Sequence, residues 1–414
     1  MHGDSGKYEA PAARINVPNV AGPAGACAPR ICGSVKIHHG DTETRSGADW
    51  RTLARAGIES LANYEPGRPI EDVAREFGIA DPGSIIKLAS NENALGPSPR
   101  AVAAMQAAAS QMHLYPDGGT YALREALARR LKVSSDCILP GTGSNELIEL
   151  LGHVFLGAGT SIVMAECAFV VYRLVAAIFG AQVVAVPMRE HTHDLAALAA
   201  AVRPDTRLVF VANPNNPTST CVTPAAVNAF MAHIDPRVIV CFDEAYVELL
   251  PPEAQPDTLR YVREGRLVVV LRTFSKAYGL AGLRLGYAVA APGCIDLLNR
   301  VRQPFNVSAM AQAAAVAALD DEAHVTRTRA MVAEGLATLQ GEFAAMGLPY
   351  VPASANFVLV EVGQGREIFR ALMRQGVIVR PMDGYGLPRH VRVTVGTRAE
   401  NARFIATLKR VLGV

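Results

Sequence analysis

The sequence has few of the features that mark metal-binding, disulfide-rich or nucleic-acid-binding proteins. Its seven cysteines are scattered and form no C-x-x-C pair, so we expect reduced thiols and neither a structural metal nor a disulfide framework. Lys and Arg (40) nearly balance Asp and Glu (38), and no zinc-finger spacing occurs, which argues against nucleic acid as a partner. With no basic and apolar leader at the N-terminus, this thiol usage predicts a cytoplasmic protein.

Long apolar runs are missing as well. The most apolar region, residues 154–186, is interrupted by three glycines and by Glu166 and Arg173. It never supplies the roughly 20 uninterrupted apolar residues that a spanning helix needs. Buried strands and a helix of an α/β layer explain the region better, so no membrane is expected as a partner.

What the sequence does contain is an alternation of strand and helix patterns. Five continuous runs rich in β-branched residues predict buried strands at residues 161–164, 182–186, 208–211, 238–242 and 267–271. Continuous rather than alternating apolar runs are typical of a sheet covered by helices on both faces. Residues 1–45 show no sustained periodicity and are rich in Gly, Pro, Ala and Ser, which predicts a mobile tail.

Helix starts are predicted at two places. Thr223-Pro224 combines a capping hydroxyl with a proline in the first turn. Leu123, Leu127 and Leu131 share one helical face, and Thr120 is the predicted cap of that helix.

Polar motifs directly follow three of the predicted strands. They are Asn213–Thr218, Asp243–Tyr246 and Arg272–Lys276. Because ligands of open α/β sheets bind beyond the carboxyl ends of the strands, we expect these motifs to meet at one site.

The residue types in these motifs fit the requirements of pyridoxal phosphate. Lys276 offers an amine for the aldehyde and a base for proton transfer. Asp243 can keep the ring nitrogen protonated, while Asn216 and Tyr246 can donate to the ring oxygen. Each residue alone has a simpler explanation, such as a cap or a solvated charge, so the prediction rests on the combination.

An anion pocket is predicted from two further features. Residues 141–146 (Gly-Thr-Gly-Ser-Asn-Glu) precede the apolar stretch Leu147–Phe155, which places backbone N–H groups at a helix N-terminus. Arg284 can supply the counter-charge to a phosphate. A dinucleotide site would need Gly or Ala where Glu146 stands, and no nucleotide-binding P-loop occurs.

Taken together, these motifs resemble those of fold-type I, class-II pyridoxal-phosphate-dependent aminotransferases. More narrowly, the chain is similar to the histidinol-phosphate aminotransferase family from about residue 60 to its end. The further stretches that support this resemblance are Tyr64–Glu71, Leu88–Asn93, Tyr115–Gly118 and Arg392–Gly396.

The resemblance implies an α/β fold. It comprises a large domain with a mostly parallel seven-stranded sheet covered by helices, plus a smaller α+β domain. The implied boundaries are an N-terminal arm with part of the small domain at residues 46–95, the large cofactor-binding domain at 96–304 and the small domain at 305–414.

The resemblance also implies residue roles. The catalytic residues would be Lys276, Asp243 and Tyr246. The cofactor would be bound by Lys276, Asp243, Tyr246, Asn216, Ser144, Asn145, Phe169, Ser275, Arg284 and Tyr115. Tyr115 would come from the partner subunit of a homodimer. Arg392 would bind the terminal anion of the substrate, with Arg380 as a helper and Asn356 lining the same pocket.

Three positions depart from the family pattern. Ser219 replaces a usual glycine, Ala94 a common proline, and Phe169 a tyrosine. None removes a group that the chemistry requires, although Phe169 could shift preference toward apolar rings.

The predicted reaction is L-histidinol phosphate plus 2-oxoglutarate giving 3-(imidazol-4-yl)-2-oxopropyl phosphate and L-glutamate, in histidine biosynthesis. Alternatives within the same chemistry are phenylalanine or tyrosine transamination, or decarboxylation of an O-phosphorylated amino acid. Alternatives outside it are a non-catalytic pyridoxal-phosphate-binding regulator and a nicotinamide-dependent oxidoreductase.

Overall fold

A computed structural model describes residues 49–55, 57–59, 61 and 67–414. The predicted tail (1–45), Cys27, Cys32 and the first part of the 64–71 motif lie outside the described residues. The chain divides into two compact units, residues 1–53 and 54–414. In the first unit, the described residues include a four-residue helix, α1 (Trp50–Leu53).

The described part of the second unit contains helices and strands in alternation. The strands are β1 (Ile86–Lys87), β2 (Ile138–Gly141), β3 (Ser161–Ala165), β4 (Gln182–Val186), β5 (Thr206–Ala212), β6 (Ile239–Asp243), β7 (Val268–Thr273), β8 (Gly286–Ala290), β9 (Tyr350–Val351), β10 (Phe357–Glu361), β11 (Val377–Ile378), β12 (Arg380–Pro381) and β13 (His390–Thr394). The helices are α2 (Ile70–Phe77), α3 (Pro99–Ala108), α4 (Tyr121–Leu131), α5 (Gly143–Phe155), α6 (Val170–Ile178), α7 (Leu195–Ala200), α8 (Pro224–His233), α9 (Leu259–Arg263), α10 (Pro292–Val301), α11 (Ala309–Leu319), α12 (Glu322–Ala345), α13 (Gly365–Arg374) and α14 (Arg398–Leu412).

The largest sheet has seven strands in the order β2-β8-β7-β6-β5-β3-β4. The pairs from β7 through β4 are parallel, whereas β8 runs antiparallel to both of its neighbours. All five predicted strand runs lie in this sheet as β3 to β7. The predicted mostly parallel, seven-stranded sheet is therefore confirmed.

Both faces of this sheet are buried, which explains the continuous apolar runs. In β5, Val209 and Val211 pack into one apolar cluster, whereas Leu208 and Phe210 pack into a second. Successive residues of a strand point to opposite faces, so a strand covered on both sides needs apolar residues at every position.

A second sheet is antiparallel and has the order β12-β13-β10-β9. Its core is completed by α12 and α14, for example through Leu339 and Phe404. The register of β12 and β13 places Arg380 directly opposite Arg392. The domain boundaries given for residues 46–95, 96–304 and 305–414 remain predictions.

The two predicted helix caps have different outcomes. Thr223 accepts a hydrogen bond from a backbone N–H three residues later, as predicted. Thr120 does not cap α4, because it adopts a left-handed backbone conformation (φ 49°) and its hydroxyl donates to the Gly119 carbonyl. The Asp117 carboxylate accepts from Tyr121 N instead, at 2.7 Å. The prediction of Thr120 as the cap is wrong because an acidic side chain four residues before Tyr121 takes that role.

Helices α5 and α6 approach each other closely at Gly152. A Cβ atom there would lie 2.5 Å from the Phe179 ring and 2.6 Å from a Val175 methyl group. Only a hydrogen atom fits between the helices at this position. Among the described residues, no helix is both long and apolar enough to cross a membrane.

Candidate active site

A cavity of about 390 Å³ opens where the carboxyl ends of β5, β6 and β7 meet. Its size is within the range typical of small-molecule sites. Eleven of the thirteen predicted site residues line it: Ser144, Asn145, Phe169, Asn216, Asp243, Tyr246, Ser275, Lys276, Arg284, Arg380 and Arg392. Tyr115 and Asn356 do not line this cavity.

Asp243 is the last residue of β6, and its carboxylate is buried. The Tyr172 hydroxyl donates to Oδ2 at 2.6 Å, and the Ala245 backbone N–H donates to Oδ1 at 3.2 Å. Burial raises the pKa of Asp243, while the bond from Tyr172 opposes that rise. The carboxylate is thus held in one orientation, as a partner of a protonated ring nitrogen must be.

Lys276 lies in the loop after β7, and its Nζ donates to the Ser90 carbonyl at 3.2 Å. Burial, together with the charges of Arg392 and Arg284, lowers the pKa of Lys276 to about 8, while Glu92 opposes this shift. A lysine with this pKa is partly neutral near physiological pH. Its amine can therefore act as a nucleophile and a base.

Tyr246 is fully buried and accepts a hydrogen bond from Asn91 Nδ2 at 3.0 Å. Burial raises the pKa of Tyr246 to about 12, so the phenol stays protonated and can donate. Asn91 is itself fixed from the second sheet, because its backbone N–H donates to Thr394 Oγ1 at 2.9 Å.

One end of the cavity, which we call the phosphate seat, combines Ser144 and Asn145 in the first turn of α5 with Ser275 and Arg284. Gly143 has a φ of 77°, and a Cβ there would lie 2.8 Å from Arg284 Nη2. A side chain at Gly143 would therefore displace the guanidinium. Backbone N–H groups at a helix N-terminus with an adjacent arginine form a site for a dianion.

The cavity also contains an arginine pair, Arg392 on β13 and Arg380 on β12. Arg392 is 6% exposed, and its Nη1 donates to Asn216 Oδ1 at 2.5 Å while its Nη2 donates to the Ala89 carbonyl at 2.8 Å. Its guanidinium also lies 5.1 Å from the centroid of the Phe357 ring. These contacts fix Arg392 before any substrate binds.

Comparison with known proteins is consistent with this geometry. The family described as aminotransferase class I and II matches residues 83–408. The chain belongs to the family of class I and II aminotransferases.

Curated relatives of this aminotransferase are about 50% identical to it over most of its length. A histidinol-phosphate aminotransferase of Moorella thermoacetica is 50% identical over 360 residues, covering 86% of this chain and 92% of the relative. One from Akkermansia muciniphila is 49% identical over 362 residues, covering 87% and 99%. The crystal structure of histidinol-phosphate aminotransferase from Sinorhizobium meliloti with pyridoxal-5'-phosphate has a TM-score of 0.78 and 30% identity, covering 87% of this chain and 97% of that one. The predicted family, fold type and cofactor are confirmed.

Two predicted site residues of this aminotransferase lie outside the cavity. Tyr115 is 82% exposed, so its role stays a prediction about a partner subunit. Asn356 is buried, and its Nδ2 donates to the carbonyls of Asn91 and Glu92 at 3.1 and 3.2 Å. Its contacts hold the segment that carries Asn91 rather than the cavity itself.

Several cavity residues of this aminotransferase were not singled out from the sequence. Tyr172 orients Asp243 through its hydroxyl. The signal that points to it in the sequence is a single phenol within the mostly apolar helix α6. Asn91 lies in a motif that supported the resemblance, but no role was given to it. Tyr385 also lines the cavity, and its position in the loop between β12 and β13 gave no signal.

Proposed function

We propose that this aminotransferase transfers an amino group between L-histidinol phosphate and 2-oxoglutarate, giving 3-(imidazol-4-yl)-2-oxopropyl phosphate and L-glutamate. The arginine pair is the observation that carries this proposal, because it offers a second anion site in addition to the phosphate seat. Two relatives that are about 50% identical to this chain are named histidinol-phosphate aminotransferases, which supports the same substrate.

The residues around the cavity fit pyridoxal phosphate. When bound, this cofactor supplies an electron-withdrawing ring that makes the proton on the substrate α-carbon acidic. The phosphate seat would hold the anion, and Lys276 would bind the aldehyde carbon. Asp243 would keep a proton on the ring nitrogen. Phe169 lies at the N-terminus of α6 and packs edge-on against Tyr172, so it can cover a ring face.

Asn216 and Tyr246 hold the ring oxygen. Because Asn216 Oδ1 accepts from Arg392, its Nδ2 is left as the donor. Tyr246 donates from a phenol that stays protonated at neutral pH. Once its amine is free, Lys276 would take the proton from the substrate α-carbon and deliver it again, and its lowered pKa suits that exchange.

Arg392 explains how one site accepts two different substrates. Histidinol phosphate ends in a phosphate and glutamate in a carboxylate, and a planar guanidinium can bind either anion with two parallel hydrogen bonds. Arg380 lies opposite on the neighbouring strand and adds a second positive charge.

The proposal includes a homodimer in the cytoplasm. Large apolar side chains are exposed around the segment that carries Tyr115, at Met112, Leu114 and Tyr121. A second copy of the chain is the partner that would cover them and receive Tyr115 in its site. The free thiols of the described cysteines, from Cys137 to Cys294, suit a reducing compartment.

An aromatic amino acid is the second candidate substrate. The observation in its favour is Phe169, whose side chain lines the cavity without the hydroxyl that is usual at this position in the family.

The test compares kcat/KM for histidinol phosphate, phenylalanine and tyrosine, each with saturating 2-oxoglutarate. We expect histidinol phosphate to exceed the others by at least about tenfold, since its phosphate dianion should gain more from two facing guanidinium groups than a single carboxylate does. A higher value for either aromatic amino acid would replace the first proposal with the second. The control is Lys276→Ala, which should lose both turnover and the visible absorbance band of the bound cofactor.

A further inference from the structure

The ring of the exposed Tyr115 stacks on Phe305. The two ring centroids are 4.7 Å apart with an angle of 23° between the planes. Phe305 is itself 45% exposed. Two aromatic rings stacked at the surface leave apolar area exposed to water, which is unfavourable for a single chain.

The backbone at Phe305 is in the left-handed region, with a φ of 57°. This conformation is uncommon for a bulky residue and carries strain, so the surrounding structure has to impose it. With this backbone conformation, the Phe305 ring lies against the segment that carries Tyr115. A Cβ atom on Gly118 in that segment would lie 3.3 Å from the Phe305 ring.

Hydrogen bonds on both sides hold the turn at residues 302–306, which we call the Phe305 turn. Arg302 Nη2 donates to the Gly118 carbonyl at 3.0 Å, and Arg302 Nη1 donates to Asn306 Oδ1 at 2.6 Å. Asn306 Nδ2 donates to Glu146 Oε2 at 2.8 Å. Since Glu146 lies in the first turn of α5, the Phe305 turn joins the Tyr115 segment to the helix of the phosphate seat.

We propose that Phe305 is a positioning residue for the active site of the partner subunit. Its ring holds the Tyr115 side chain in the orientation in which the hydroxyl reaches the cofactor phosphate of the partner. Phe305 acts through Tyr115 and touches neither the cofactor nor the substrate of its own subunit. This inference rests on the proposed dimer and on the role proposed for Tyr115.

The physical reason is the loss of side-chain freedom. An exposed tyrosine with no neighbour populates several rotamers, and only one of them serves a given target. A stacked neighbour selects that rotamer before the subunits meet. Phe305→Ala should therefore weaken cofactor binding on the order of tenfold, whereas Phe305→Tyr, which keeps the ring, should bind as the native protein does.

The decisive experiment uses mixed dimers, purified through two different affinity tags. One subunit carries Phe305→Ala and keeps Lys276, and the other carries Lys276→Ala and keeps Phe305. The single functional site then receives Tyr115 from the subunit with an intact Phe305. We expect native cofactor affinity and about half of the native turnover per dimer, since one of the two sites is active.

A matched dimer of Tyr115→Ala with Lys276→Ala tests the role proposed for Tyr115 separately from the role inferred for Phe305. If it does not recover native affinity, the shared role of Tyr115 is wrong, and the inference fails with it. If it recovers while the Phe305→Ala dimer stays weak, Phe305 acts inside its own subunit and only the inference is overturned. Native affinity in the Phe305→Ala homodimer would overturn it as well.

Should Phe305→Ala fail to fold, Phe305→Leu replaces it in the same mixed dimers. Leucine keeps apolar bulk and removes the flat ring, so the expected results and the overturning results are unchanged.

Discussion

The phosphate seat and the arginine pair are both suited to anions, yet they are built differently. The seat uses backbone N–H groups of α5, two serines and Arg284, and its glycine permits a contact that no side chain would allow. The pair consists of side chains on two neighbouring strands, and Arg392 is held by contacts with Asn216 and Ala89. A seat made largely of backbone suits an anion that stays, whereas a guanidinium pair suits anions that exchange.

The largest expected effect comes from Arg392→Ala. Losing a buried charge-assisted pair should cost about 2–5 kcal/mol, which lowers kcat/KM on the order of 10²–10³-fold for both glutamate and histidinol phosphate. Steady-state kinetics with each substrate measures this, while the loss of cofactor affinity should be much smaller, because Arg392 reaches the cofactor only through Asn216 and Lys276. The control is Arg389→Ala, because Arg389 is exposed and pairs with Glu361 away from the cavity. A loss for only one substrate would contradict the shared anion site.

A smaller and complementary effect is expected for Arg284→Ala. The cofactor should dissociate on the order of tenfold more readily, because the counter-charge to its phosphate is lost while the backbone donors remain. Equilibrium titration followed by absorbance measures the affinity. With saturating cofactor the KM of both substrates should be native. A raised substrate KM under that condition would show that the two anion sites are not separate.

The smallest effect concerns the pH at which apo protein captures the cofactor. Only the neutral amine of Lys276 attacks the aldehyde, so the capture rate should rise with pH through about 8 and then level off. Removing either arginine removes a positive charge, so the midpoint should move to higher pH. The shift should be larger for Arg392→Ala, because Arg392 lowers the pKa of Lys276 more than Arg284 does. Stopped-flow absorbance measures the midpoint, and an equal or reversed order would contradict this account.

Much of the seven-stranded sheet could be predicted because its signals are local. Each of β5, β6 and β7 is a continuous apolar run followed at once by a polar motif. The rule that ligands bind beyond the ends of parallel strands then brings Asn216, Asp243 and Lys276 together. The helix of the phosphate seat was equally readable, since its glycines and its apolar stretch are contiguous.

What could not be predicted depends on contacts between distant parts of the chain. Asn91 donates to Tyr246, 155 residues away, and is itself held by Thr394, 303 residues away. No local pattern reports such a pair. The wrong cap at Thr120 has the same origin on a smaller scale, because the left-handed conformation of that residue is imposed by the turn before it. The roles assigned to individual site residues stay predictions until variants are measured.

The close approach at Gly152 has a consequence for the spacing of the ring and the phosphate. The N-terminus of α5 carries the seat, and α6 begins immediately after Phe169, so the packing of these two helices contributes to the distance between Phe169 and the seat. The absence of a side chain at Gly152 therefore affects how well the site matches the length of the cofactor. Any side chain at Gly152 would push α5 and α6 apart and change the distance between Phe169 and the seat without contacting the cavity.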